Sequence, residues 1–411
     1  MKTLNLLLLI IMVSASSLFG QKKPQYDESK VPDYTLPELL KTSGGKTVTK
    51  KKQWEKIRRH EVLALFTNQV YGKTPDRKIP MQFHTQSIDK EALDGKATRK
   101  QVRIYFGRDT SRHMDLLIYF PNQVKAPVPV FLGLNFTGNH TIHTDPGILI
   151  CPKKAGNERG MRVRRWPVEE ILARGYGVAT AWYGDIQPDL PDTFKEGVHQ
   201  LFFKPGQRKP APGEWGAIGA WAWGLSRAMD YLEQDADVNS RQVAVLGHSR
   251  LGKTSLWAGA QDTRFAIVIS NDSGEGGAAI TRRKFGETIK DLNTRFPHWF
   301  CGNFKQYSNR ENELPVDYHE LIALIAPRPV YVASASEDLW ADPRGEYLSL
   351  YHAGPVYRLY GLEPIIDPEP PGLEKPVSTG IMGYHLRNGK HDILLYDWSN
   401  YMDFADKVFR K

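Results

Sequence analysis

The sequence predicts an α/β fold, with a mostly parallel central sheet flanked by helices on both faces. Three observations carry that prediction. From residue 217 onward helical and strand-like segments alternate regularly, the pattern of parallel strands joined by helical crossovers. Two runs, VPVFLGL at 128–134 and GYGVATAW at 175–182, are almost wholly apolar, as strands covered on both faces require. At 242–260 a strand-like run breaks at Gly247-His248-Ser249 and a helical run starts within three residues, which sets a serine on a sharp corner.

The elements follow in order. Residues 1–20 begin with Lys2, continue through the unbroken apolar run Leu6 to Val13 and end in small or weakly polar residues. This is the layout of a secretory signal peptide cleaved between Gly20 and Gln21, and it predicts a secreted or periplasmic mature chain. No cysteine lies near the cleavage point, so no lipid anchor is expected there. Residues 21–52 are polar and rich in Pro and Lys, an extended lead-in, and 53–411 are read as one catalytic domain. Apolar residues recur at helical spacing over 54–70. Strands are predicted at 101–106, 114–120, 128–134 and 175–182, with a helix at 168–174 before the last. The alternation then continues as helix 217–233, strand 242–247, helix 252–261, strand 265–270, helix 319–325, strand 329–335, helix 344–351, strand 356–360 and a closing helix at 400–409. The Pro- and Gly-rich stretch 362–380 is read as an irregular surface loop.

Composition excludes several classes. The chain has 411 residues, of which 41% are hydrophobic and 25% charged, so it can bury a large core as an ordinary globular protein. Beyond the leader no apolar run is long enough to span a bilayer, and no membrane partner is expected for the mature form. The formal charge of +9 loses only Lys2 with the leader. No Lys/Arg block interleaved with aromatics argues for nucleic acid, and the basic stretch 46–56 reads as a solvated linker entering a helix. Cys151 and Cys301 lie in no metal or redox motif; they could pair in an oxidising compartment or remain buried thiols. No metal ligand set or nucleotide loop is supported, and no cofactor is implied. GHSRLGKT at 247–254 fits GxxxxGK[ST] by letter, but no acidic metal-binding strand partner accompanies it.

The corner itself suggests covalent catalysis. A serine between strand and helix has its Oγ exposed, and the N–H of residue 250 lies at the positive end of the helix, where it can stabilise an oxyanion. The glycine usual two places after the serine is displaced by one, giving G-H-S-R-L-G with Leu251 in its place. The wider segment GHSRLGKTSLWAGAQDTRFAIVISNDSGEGGAA resembles the glucuronoyl esterase family, whose elbow reads G-C-S-R-x-G-K-G/T. FLGLNFTGNHT at 131–141, APGEWGAIGAWAWGLSRAMDYLE at 211–233, WADPRGEYL at 340–348 and GYHLRNGKHDILLYDW at 383–398 look like its bacterial branch. The resemblance implies an α/β-hydrolase fold. It also implies hydrolysis of esters of (4-O-methyl-)glucuronic acid, as in lignin–carbohydrate links of glucuronoxylan, through an acyl-enzyme on Ser249.

A serine hydroxyl needs a base to take its proton. In α/β-hydrolases the partners follow in the order Ser, acid, His, and only His385 and His391 come late enough. His391 sits in the turn Asn388-Gly389-Lys390-His391-Asp392, and the resemblance also points to it; His385 is expected to shape the site. Two aspartates can supply the acid: Asp338, just past PVYVASA, and Asp272, just past the preceding strand. Asp338 is preferred, with Glu275 and Glu337 as outside candidates. Arg250 can add a charged donor to the oxyanion hole, a role the resemblance also implies. By resemblance, Lys253 contacts sugar hydroxyls and Trp340 holds the sugar ring. Glu214, Trp215 and Asn139 lie in matching segments without an assigned role. The expected partner is a glucuronoxylan-derived ester, handled by a monomer. A carbohydrate deacetylase such as an acetyl xylan esterase could use the same triad, and a carbohydrate-binding protein that lost catalysis is the alternative of another class.

Overall fold

A computed structural model describes residues 24–108 and 110–409; the predicted leader at 1–20 lies outside them. The strands are β1 (Met81–Ala92), β2 (Ala97–Phe106), β3 (His113–Pro121), β4 (Val128–Asn135), β5 (Gly177–Trp182), β6 (Val238–His248), β7 (Ile267–Asn271), β8 (Val330–Ala335), β9 (Val377–Ser378) and β10 (Met382–Arg387). They form one sheet in the order β1-β2-β3-β5-β4-β6-β7-β8-β10-β9. The run from β5 to β10 is parallel, and both edges are antiparallel. From β4 the chain goes out to β5 on one side and returns to β6 on the other. Such a reversal opens a crevice beyond the carboxyl ends of the strands.

Alternate strand residues face opposite sides, as the pleat demands. Leu116, Ile118 and Phe120 join the core that holds Trp221 and Trp257, whereas Leu117 and Tyr119 join the one that holds Trp166 and Trp398. Both faces are thereby covered, which accounts for the uninterrupted apolar runs of β4 and β5.

Most predicted elements are present with shifted ends, and three differ in substance. Residues 356–360 are not a strand but the end of the helix Pro343–Leu359. Buried Glu346, Ser349, Leu350, Ala353 and Tyr357 recur there at helical spacing, a period that a five-residue window hides. Strands β1 and β10 were not predicted. β1 is a largely exposed edge strand, and β10 buries the polar His385 and Arg387, so neither carries a plain apolar signature. The lead-in from residue 24 is docked rather than free, with Leu39 and Val48 buried and Arg58 donating to Leu39 O at 3.1 Å. Cys151 and Cys301 are free thiols.

The corner after β6 takes the expected form. Ser249 has φ 60° and ψ −131°, a backbone state that side-chain-bearing residues avoid, and the helix Arg250–Gln261 follows at once. The Ser249 N–H donates to Asn271 O at 2.8 Å, tying the corner to β7. A Cβ on Gly247 would come within 1.9 Å of Leu251 O, so only glycine fits there. The displaced Gly252 has a reason of its own: a Cβ would meet Ser273 Cβ at 3.0 Å and Asn271 O at 3.1 Å, where the helix crosses the end of β7. We expect Gly247→Ala to cost more than about 3 kcal/mol, read as a lowered urea midpoint, because the obstacle is backbone that cannot move aside.

Candidate active site

Ser249 is half-buried at the crevice, and the next parallel strands bring charged groups to it. β8 and β10 are paired neighbours, with Arg387 opposite Ala335, so the loops that leave them emerge side by side. Glu337 N donates to Gly389 O at 2.9 Å and Ser336 N to Arg387 O at 2.8 Å, stitching the two loops together. Across that seam His391 Nδ1 meets Asp338 Oδ2 at 2.5 Å. Asp338 is buried, whereas the His391 side chain is 41% exposed. An imidazole held through Nδ1 by a carboxylate keeps Nε2 available to take a proton. The His391 ring lies 4.5 Å from that of His248, the residue preceding the serine. Burial, then the charges of His391 and Arg165, push the His248 pKa well down, so it stays neutral beside the reacting groups.

The histidine loop is braced from below. Arg387 donates to Lys390 O at 2.8 Å and Asp392 O at 2.9 Å, flanking His391 on both sides. Arg387 Nε also pairs with Asp397 at 3.0 Å. The same carboxylate accepts from Leu394 N at 2.7 Å and meets His385 Nε2 at 2.8 Å. His385 therefore shapes the site from inside the sheet.

Asp272, the second predicted acid, is buried with φ 45°. Its Oδ2 is 3.4 Å from Asp392 N, 3.8 Å from Arg387 Nη2 and 3.9 Å from His248 Nδ1, while Oδ1 is buried without a hydrogen-bond partner among the described residues. Burial, with Glu346, Asp338 and Asp397 nearby, raises its pKa well above the usual carboxylate range. The two aspartates are thus unequal: Asp338 holds the imidazole and Asp272 lies behind it. Asp272, Asp338 and His391 each bring one ligand-type atom to within 4.8 Å of the others, the trio among the described residues with metal-like spacing. A cation there would have to break the hydrogen bond between His391 and Asp338. Of the outside candidates, Glu275 is spent on Thr281 Oγ1 at 2.5 Å, and Glu337 is exposed.

Arg250 is anchored by an ion pair with Asp189 and lies over the rings of Trp299 at 4.8 Å and Phe296 at 5.6 Å. Its Nε is buried without a partner among the described residues. Asp189 also accepts from Trp299 Nε1 at 2.6 Å, His298 Nε2 at 2.8 Å and Tyr183 Oη at 3.1 Å. Burial alone would raise the Asp189 pKa, but the donors and the guanidinium outweigh it and hold the carboxyl at about 2. Lys253 departs from expectation. It is only 3% exposed, and its ammonium donates to Ser273 O at 2.5 Å, Glu275 O at 2.6 Å and Glu287 Oε2 at 3.3 Å, which leaves no spare N–H for a sugar hydroxyl. Trp340 is half-buried beside Asp338, with the Arg295 guanidinium 4.9 Å over its ring.

Comparison with known proteins gives this arrangement a family. A model described as "Glucuronyl esterase, fungi" matches residues 210–361. A relative called carbohydrate esterase MZ0003, from an unknown prokaryotic organism, is 52% identical over 93% of this chain and 91% of its own length. The solved glucuronoyl esterase from Solibacter usitatus is 50% identical and superposes with a TM-score of 0.88, covering 93% of this chain and all of that one. The chain belongs to the glucuronoyl esterase family. A second solved structure, a promiscuous CE15 esterase from the marine bacterial metagenome, is 51% identical with a TM-score of 0.85 over 94% of this chain and 100% of that one. As a glucuronoyl esterase family member, the chain is a carboxylic ester hydrolase with the α/β-hydrolase fold.

Of the predicted residues, Asp272, Asp338 and His391 cluster together, the His391 ring lies against His248 beside Ser249 and Arg250, and Trp340 lies two residues beyond Asp338. Glu214 instead accepts from Ala211 N at 2.8 Å in a surface turn, Trp215 is core, and Asn139 donates to Asp115 O at 2.7 Å. Sequence reasoning did not single out Asp189, His298 or Trp299; the only cue was the aromatic run RFPHWF at 295–300.

Two outcomes follow from these charges. Lys253→Met strands the buried Glu287 and two carbonyls, and we expect a loss of roughly 3 kcal/mol in denaturant unfolding. Asp189 is held at about 2 in the folded chain, below the ordinary value of an aspartate, so its stabilisation is full above the unfolded value and vanishes as pH falls through 2. Asp189→Asn should therefore cost on the order of 2 kcal/mol at pH 7 and flatten the pH dependence of stability between about pH 2 and 4.

Proposed function

We propose that this esterase hydrolyses esters of (4-O-methyl-)glucuronic acid, in the setting of lignin–carbohydrate links of glucuronoxylan, with Ser249 as nucleophile and His391 as base. The observation that carries the reading is the contact of His391 Nδ1 with Asp338 at 2.5 Å on loops that flank the strained serine corner. Family membership supplies the ester class.

In this scheme Ser249 Oγ attacks the ester carbonyl as His391 Nε2 takes its proton, and Asp338 holds the tautomer and the developing imidazolium. Charge grows on the carbonyl oxygen as the tetrahedral intermediate forms. The Arg250 backbone N–H, in the first helical turn where no intrahelical acceptor exists, is the donor for that charge, and the guanidinium held by Asp189 adds a positive field beside it. His391 returns the proton to the departing alcohol. Water, activated by the same imidazole, then releases glucuronate. Asp272 acts behind this machinery, supporting the Asp392 turn. Trp340 offers a ring to the sugar, and Lys253, with its donors committed, holds the wall made by residues 273–275 and Glu287.

We also assign residues 53–411 to one catalytic domain, and take the working unit to be a monomer. We place the mature protein outside the cytoplasm with its leader removed. No helix among the described residues is long and apolar enough to cross a membrane.

The test compares a methyl ester of 4-O-methylglucuronate with acetylated xylan. Preference for the acetyl substrate overturns the substrate assignment. Ser249→Ala should lower kcat by at least about 10³-fold, and Asp338→Asn by about 10³- to 10⁴-fold. Asp272→Asn should cost far less than Asp338→Asn. Equal losses, or the reverse order, would show that the acid has been misassigned.

A further inference from the structure

The lead-in ends up beside the turn that packs on the segment carrying Asp338 and Trp340. Gly286 N donates to Gln25 O at 2.8 Å, and Glu28 pairs with Arg283 at 2.7 Å and with Arg344 at 3.4 Å. These contacts clamp residues 25–28 across the turn at 283–286. That turn in turn presses on the segment carrying Asp338 and Trp340: Glu287 N donates to Trp340 O at 2.9 Å, and a Cβ on Gly286 would meet Leu339 O and Trp340 O at 2.5 Å.

Tyr26 sits at the centre of this clamp, edge-on to Phe285 with ring centroids 6.1 Å apart, and it remains 44% exposed. Burial raises its hydroxyl pKa first, and then the charges of Asp338 and Asp291. The turn beneath the ring, reached through Gln25 O and Phe285, packs on the backbone of Leu339 and Trp340. From the serine corner outward, Arg250 lies over Phe296 and Trp299, which stack at 3.8 Å, and the adjoining Arg295 lies over Trp340. Tyr26 joins this row through the turn at Phe285 and Gly286, which packs on the Trp340 backbone.

We propose that Tyr26 is a substrate-contacting specificity residue, its exposed ring receiving the pyranose unit to which the glucuronate is attached. An aromatic face that is half-buried, rigidly clamped and flanked by polar groups suits the C–H face of a sugar while its hydroxyls stay solvated. The polar bonds of the clamp come from Gln25 O and Glu28, and beyond its edge contact with Phe285 the Tyr26 ring stays 44% exposed, open to a ligand. The assignment rests on the proposed glucuronoyl esterase activity and extends it from the acid to the chain that bears it.

The test uses two esters, methyl 4-O-methylglucuronate and the same methyl ester carried on a xylo-oligosaccharide, with the full-length mature protein. For Tyr26→Ala, kcat/KM on the oligosaccharide ester should fall about 3- to 10-fold more than on the small ester, mainly through KM. Tyr26→Phe, which keeps the ring, should restore the ratio. Equal losses on the two esters, or no loss on either, overturn the assignment. Binding of the de-esterified oligosaccharide to Ser249→Ala, with and without Tyr26→Ala, gives a readout independent of turnover, and unchanged affinity also overturns it. If the intact protein leaves both esters uncleaved, the proposed chemistry fails, while the binding arm still decides the case of Tyr26.

Discussion

A side-chain-bearing residue at φ 60° and ψ −131° persists only where its surroundings leave no alternative, and at Ser249 they are unusually restrictive. Its N–H is held by Asn271 O, its carbonyl accepts from Gly252 N at 2.8 Å, and Gly247 lies against the backbone of Leu251. The corner thus binds the end of β6, the end of β7 and the first turn of a helix into one unit. Everything chemical is measured from it. The histidine and the aspartate come from the next strands along, and the arginine is the following residue.

Behind that corner lies an uneven charge balance. Asp272 shares one interior guanidinium, Arg387, with Asp397, and Glu346 and Asp338 add their repulsion to it in a poorly hydrated space. Asp272 is pushed far up by burial and its acidic neighbours, and Glu346 is raised to about 7, chiefly by burial, while it accepts from Ser273 N at 2.7 Å and Ser334 Oγ at 2.6 Å. Two aspartates that look alike in sequence thereby acquire different characters. One faces a histidine; the other is a buried prop.

Much of this was legible in the residues alone, and the exceptions have physical causes. The apolar runs of β4 and β5 and the strand-to-helix break at Ser249 are local patterns, and local patterns survive folding. β10 was missed because its buried His385 and Arg387 pay their way through Asp397, a partner that no window on the strand includes. Lys253 misled in the opposite sense: its acceptors at 273, 275 and 287 form a pocket for an ammonium that only the tertiary structure assembles. Asp189 carried no signal at all, since its partners Arg250, His298 and Trp299 lie 61, 109 and 110 residues away.

The two thiols close the account. Cys301 is buried, and burial also lifts the Cys151 thiol to about 11, with Asp185 adding to the effect; neither is bonded to the other. A thiol that stays protonated at neutral pH is a poor nucleophile and a slow partner for exchange. Burial raises both thiols, so the folded chain holds no cross-link between residues 151 and 301 and keeps little thiolate with which to form one.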